Sequence, residues 1–153
     1  MRSLIKSLFA ALFVAAATLA PVQPAQAEDG KMGLFVNLTT DDTWAAAKAI
    51  SFAHQKALKG GHAPVAIWLN VRGVYLADKK RPSHVHGLMA ESGKSIQNML
   101  TDFMADGGQV IMCGVCSKAA GLTKEDYIDG VVMGKWPLVE SLLFDPNIKT
   151  LAW

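Results

Sequence analysis

The chain has 153 residues, with 15 basic against 13 acidic side chains and a hydrophobic fraction of 51%. That length supports one domain around one core, and near-balanced charge without a lysine or arginine cluster argues against nucleic acid or an anionic membrane surface as a partner. Two cysteines, only three positions apart, are too few and too close to act as a stapling framework.

Residues 1–27 carry a basic start at Arg2 and Lys6, an apolar run from Leu8 to Leu19 and the small-x-small triplet Ala25-Gln26-Ala27. This is the pattern of a secretory signal, and the apolar run is too short to span a bilayer as a helix. The expectation is export to the periplasm, a mature start at Glu28, one domain over 28–153 and no membrane association after signal removal. Loss of Arg2 and Lys6 with the signal leaves the mature chain formally neutral.

Lys31 to Leu38 is a short apolar run that reads as a buried strand. Asp41 or Asp42 can cap the helix that follows, whose pattern runs from Trp44 to Lys59 and stops at Gly60-Gly61. Ala63 to Val71 is a second strand, its continuous apolarity suited to a parallel strand covered on both faces. Residues 72–90 are polar, contain Gly and Pro, and include His84 and His86, so they read as a long loop of the kind that carries function.

A helix is expected from about Ser92 to Ala105, with Ile96, Met99, Leu100 and Phe103 as its buried stripe and Gly107-Gly108 as its stop. Gln109 to Cys113 is the third strand, followed by a short helical turn over Ser117 to Gly121. Thr123-Lys-Glu-Asp126 matches a capping box. Val131 to Met133 reads as a strand, Trp136 to Phe144 as a helix with Pro137 in its first turn, and Ile148 to Trp153 as a last strand. Glu125, Asp126 and Asp129 read as a helix start and solvated face, Lys79-Lys80-Arg81 as solvent-facing, and the four tryptophans as core or subunit contacts. Alternating strands and helices imply a single-domain α/β fold with a three-layer, mostly parallel sheet. In such sheets functional groups gather beyond the carboxyl ends of the strands.

Cys113-Gly-Val-Cys116 stands at such an end. A cysteine immediately before a helical turn faces unpaired backbone N–H groups, which favour thiolate and lower the thiol pKa. The spacing lets Cys116 resolve a mixed disulfide or persulfide formed on Cys113. A second arrangement draws His84 and His86 in with Cys113 and Cys116 as a zinc or copper site, since neutral imidazole and thiolate suit either metal. A third leaves the cysteines as a simple disulfide in a non-catalytic, oligomeric interaction module. No phosphate loop, dinucleotide glycine fingerprint or Ser/His/Asp order is present, and no organic cofactor is implied.

The run from Val110 through Cys113, Cys116 and Gly121 to Leu122, followed by Glu125 to Val131, resembles the DsrE/DsrF-like family of small sulfur-handling proteins. It is similar to a two-cysteine branch labelled predicted peroxiredoxins. The resemblance implies a flavodoxin-like sheet and homo-oligomers, often trimers or hexamers. It also implies a carrier or transferase-like role in which Cys113 holds a persulfide exchanged with donor and acceptor proteins or small sulfur compounds. The export signal departs from the cytoplasmic setting of the relay members, and with it from their transfer-RNA and sulfite-reductase partners.

Overall fold

A computed structural model of the chain describes residues 30–83, 87 and 92–153. The segment expected to be a signal, His84 and His86 lie outside these residues. Five strands, β1 (Gly33–Leu38), β2 (Val65–Leu69), β3 (Gln109–Cys113), β4 (Val132–Gly134) and β5 (Ile148–Ala152), form one sheet in the order β4-β3-β2-β1-β5. Every pairing is parallel, with Val36 opposite Ile67 and Leu151, and Ile67 opposite Val110. All five strands lie where the apolar runs predict them.

The faces explain why those runs are continuous rather than alternating. Leu34, Val36 and Leu38 of β1, Val65, Ile67 and Leu69 of β2, and Val110 and Met112 of β3 point to one side, into the larger core. Phe35, Ala66 and Ile111 point to the other. With both sides covered, each strand needs apolar residues at successive positions. Each fully buried branched or aromatic side chain stabilises the fold by roughly 1.5–3 kcal/mol.

The order of strands dictates how the helices divide. From β1 to β4 the chain steps across the sheet in one direction, and crossovers of one hand then stack their helices on one face. There α1 (Thr43–Ser51) supplies Ala46, Ala47, Ala49 and Ile50, and α2 (Ile96–Ala105) supplies Ile96, Met99, Leu100 and Phe103 to the larger core. The return from β4 to β5 runs the opposite way, so the last helix, α4 (Trp136–Leu143), lies on the other face, with Val139 and Leu142 packed against Phe35, Ala66, Ile111 and Ile148.

Asp42, of the two candidates, caps α1, its carboxylate accepting from the Ala45 N–H at 2.8 Å. The helix does not stay α-helical to Lys59. Phe52–Leu58 is π-helical, with Lys59 N–H donating to His54 O and His62 N–H to Ala57 O, both at 3.0 Å. This wider turn sets buried His54 2.6 Å from Asp106 and edge-on to Phe103. α2 begins later than its sequence pattern predicts, because Ser95 is the cap and its hydroxyl accepts from the Asn98 N–H. Gly107, at φ +98, ends it in the left-handed conformation that glycine adopts without penalty.

The start of the expected long loop is helical. Val71–Ala77 is a 3-10 helix laid across the carboxyl end of β1, with Gly73 so close to Leu38 that a Cβ there would meet the Leu38 carbonyl oxygen at 2.2 Å. Tryptophans divide as well. Trp68 stacks on Phe35 at 6.0 Å, whereas Trp44 and Trp136 are largely exposed and contribute little to the core.

Candidate functional site

Both cysteines stand at the carboxyl edge of the sheet and both are free thiols. α3 (Gly114–Ala119) starts directly after β3, earlier than the expected turn, so Cys113 is itself its N-cap. The Cys113 sulfur accepts from the Cys116 N–H at 3.3 Å. That contact favours thiolate, as the sequence setting predicts. Burial outweighs it: Cys113 is 9% exposed, and enclosure, reinforced by the Cys116 side chain, pushes its thiol above the ordinary value against the pull of the Cys116 and Val115 N–H groups. The expected lowering of the Cys113 thiol is therefore reversed.

Cys116 lies one turn on, partly exposed, with a different set of partners. Its S–H donates to Asn70 Oδ1 at 3.0 Å, and its sulfur accepts from the Val71 N–H at 3.3 Å. Asn70 also accepts from the Val71 N–H at 2.8 Å and reaches Asn37 Oδ1 through Nδ2 at 3.4 Å. Val71 holds φ +50, the left-handed region, where a β-branched residue is a rare outlier costing on the order of 1–3 kcal/mol. Three backbone bonds hold it there: Asn70 N–H to Leu38 O at 2.9 Å, Arg72 N–H to Thr39 O at 3.1 Å and Gly73 N–H to Asn70 O at 2.8 Å.

Beneath the cysteines a buried relay fixes α3 to its strand. Tyr127 O–H donates to Ser117 Oγ at 2.7 Å, and Ser117 O–H donates to Cys113 O at 2.8 Å. Burial pushes the Tyr127 phenol up, keeping it protonated and able to donate, although the Ser117 contact works the other way. Charged side chains around the edge are paired rather than free. Arg72 grips Asp41 through two bonds of 2.8 Å, and Arg81 bonds the same carboxylate while its guanidinium lies 4.5 Å from the Tyr75 ring centre. Lys80 bonds Asp126, whose carboxylate also accepts from the Thr123 N–H and hydroxyl as the capping box predicts. Lys79, Lys80 and Arg81 are exposed as expected, and these contacts add that Lys80, Arg81 and Asp126 are paired there.

Of the four residues expected at the site, the fold brings Cys113 and Cys116 together, while His84 and His86 lie outside the described residues. Among the described residues no group of three or more His, Cys, Asp or Glu side chains is arranged to hold a metal. Asn70, Val71, Ser117 and Tyr127 were not foreseen. Asn70 carried one legible signal, a polar residue directly after an apolar strand at the functional edge. The left-handed conformation of Val71 carried none.

The chain is thus a five-stranded parallel α/β domain with a thiol pair at the carboxyl edge of its sheet. The DsrE/DsrF-like family model matches residues 30–142, and the chain belongs to that family. It is 34% identical over 84 residues to the uncharacterized protein MK0008 of Methanopyrus kandleri, an alignment covering 54% of this chain and 61% of that relative. The chain thus spans under two thirds of that protein's length. Among solved structures the fold is similar to the ychN protein of E. coli at a TM-score of 0.55 and 20% identity, covering 80% of this chain and 99% of that one. It is equally similar to MTH1491 of Methanobacterium thermoautotrophicum, at a TM-score of 0.55, 13% identity and the same coverage of 80% and 99%. At these identities the likeness establishes the fold. The family is, in general terms, one of sulfur-relay and redox-type proteins.

Proposed function

We propose that this is an exported thiol protein that takes up, holds and passes on sulfane sulfur through the pair Cys113 and Cys116. One observation carries the reading: two free thiols three residues apart at the carboxyl end of the interior strand β3, one enclosed and one held by side-chain and backbone hydrogen bonds at the surface. A thiolate attacks an S–S bond through a mixed species, and a second thiol within reach completes or reverses the exchange. The sequence supports periplasmic action through its N-terminal pattern, and family membership supports a homo-oligomer, a trimer or hexamer, serving donor and acceptor proteins or small sulfur compounds. Incubation of the mature protein with thiosulfate or inorganic polysulfide, followed by intact-mass measurement, is expected to add sulfur that a reductant removes. A Cys113→Ser, Cys116→Ser double variant gaining the same mass would remove the reading.

A further inference from the structure

We propose that Cys116 is the sulfur that first attacks an incoming sulfane or disulfide, that Asn70 is its positioning residue, and that Cys113 acts second as the resolving thiol. This rests on the sulfur-handling reading above and reverses the order expected from the sequence. Access points the same way as bonding. Cys113 is 9% exposed, whereas Cys116 is partly open and flanked by Val115 at 82% and Val71 at 56% exposure. A sulfur chain approaching the edge meets an apolar rim and then Cys116.

The contacts of Cys116 suit both of its protonation states. As a thiol it donates to Asn70 Oδ1 at 3.0 Å, and as a thiolate it keeps the Val71 N–H, already aimed at it from 3.3 Å. Asn70 Oδ1 also accepts from that Val71 N–H, at 2.8 Å, and so holds the turn that aims it at the sulfur. Val71, which presents this donor, is held at φ +50, and backbone strain of this kind persists where the surrounding structure enforces it. The enclosed Cys113 sulfur, whose thiol burial pushes up, is poorly suited to make the first attack and well placed to make the second.

With inorganic tetrasulfide as donor, the Cys116 thiolate bonds the terminal sulfur of the chain. The adjacent S–S bond breaks, its electron pair leaves on trisulfide, and Cys116 becomes a persulfide. The Cys113 thiolate then attacks Cys116 Sγ and expels hydrosulfide, so the two cysteines are oxidised to a disulfide as one sulfane sulfur is reduced to sulfide.

Single-cysteine variants, pulsed with tetrasulfide, quenched by alkylation and mapped by peptide mass spectrometry, test the order. Cys113→Ser is expected to take up one sulfur on Cys116 and, without the resolving thiol, to retain it. Cys116→Ser is expected to be at least about ten-fold slower, since the enclosed thiol must then attack alone. Wild-type uptake on Cys113 in Cys116→Ser overturns the order while leaving the sulfur-handling reading intact. Sulfur on neither cysteine of the wild-type protein overturns that reading and the order with it. For Asn70, the rate of Cys116 alkylation by iodoacetamide is followed against pH in the Cys113→Ser background. Asn70→Asp, an isosteric change, is expected to slow that alkylation across the profile, because a carboxylate beside the sulfur opposes an attacking thiolate. Asn70→Ala is expected to slow alkylation near neutrality without that charge effect. Profiles unchanged in both variants overturn the positioning role.

Discussion

At the scale of single residues, a few short contacts set the chemistry of this edge. Tyr127 and Ser117 make a two-step relay to the Cys113 carbonyl, and removing the phenolic hydroxyl costs one buried hydrogen bond while leaving the ring in place. Tyr127→Phe is expected to lose about 1 kcal/mol in a denaturant titration with an unchanged slope; an unchanged midpoint would show that the relay carries no stability. Cys113 and Cys116 were legible in the sequence because their spacing and their position at a strand end are local properties. Asn70 and Val71 were not, since they meet Cys116 only when β2 and β3 lie side by side, 46 and 45 positions apart in the chain. No propensity points to valine in a left-handed conformation. The lowered Cys113 thiol expected from its helix-capping position failed for a related reason: enclosure beneath the neighbouring turn is a tertiary fact, and it opposes the local N–H groups.

At the scale of elements, the strands were readable because a parallel strand covered on both faces must be apolar throughout. Helix starts were less so. Ser95 takes the cap of α2 and delays its first residue to Ile96, while α3 begins at once after Cys113. The 3-10 helix Val71–Ala77 was hidden because Val71 read as the end of β2, which stops at Leu69, and the residues after it as loop, yet it carries the turn holding Val71 against Cys116. Gly73 is its tightest point, and Gly73→Ala would press a methyl group into the Leu38 carbonyl, where 2.2 Å is available. A loss of about 1–3 kcal/mol is expected from that overpacking, together with slower alkylation of Cys116. Wild-type stability and reactivity in this variant would contradict the role given to the helix.

For the whole molecule, the same strand order that loads α1 and α2 onto one face leaves α4 on the other, and Trp136 and Phe144 at its ends are 58% and 68% exposed. Charge pairing gives the fold a defined pH range. Asp41 beside Arg72, Asp106 beside His54 and Asp126 beside Lys80 all have carboxyls held below the ordinary 3.8. A carboxyl pKa depressed by folding contributes stability that is present above the ordinary value and lost as pH falls through the folded one. Cys113 and Tyr127 are shifted upward from ordinary values of 9.0 and 10.0, so their contribution is present below those values and lost as pH rises through the folded ones. Melting temperature is thus expected to be level between about pH 4 and pH 9 and to fall on either side, with Asp126→Asn flattening the acid limb; an acid limb unchanged in that variant would contradict the role of the Lys80 pair. The most direct measurement of the central claim is the chemical state of the Cys113–Cys116 peptide in protein isolated from its native compartment under alkylating quench. The account predicts persulfide on the pair, together with a disulfide that exchanges readily with added thiol. Two unmodified thiols, or a single disulfide inert to exchange, would contradict it.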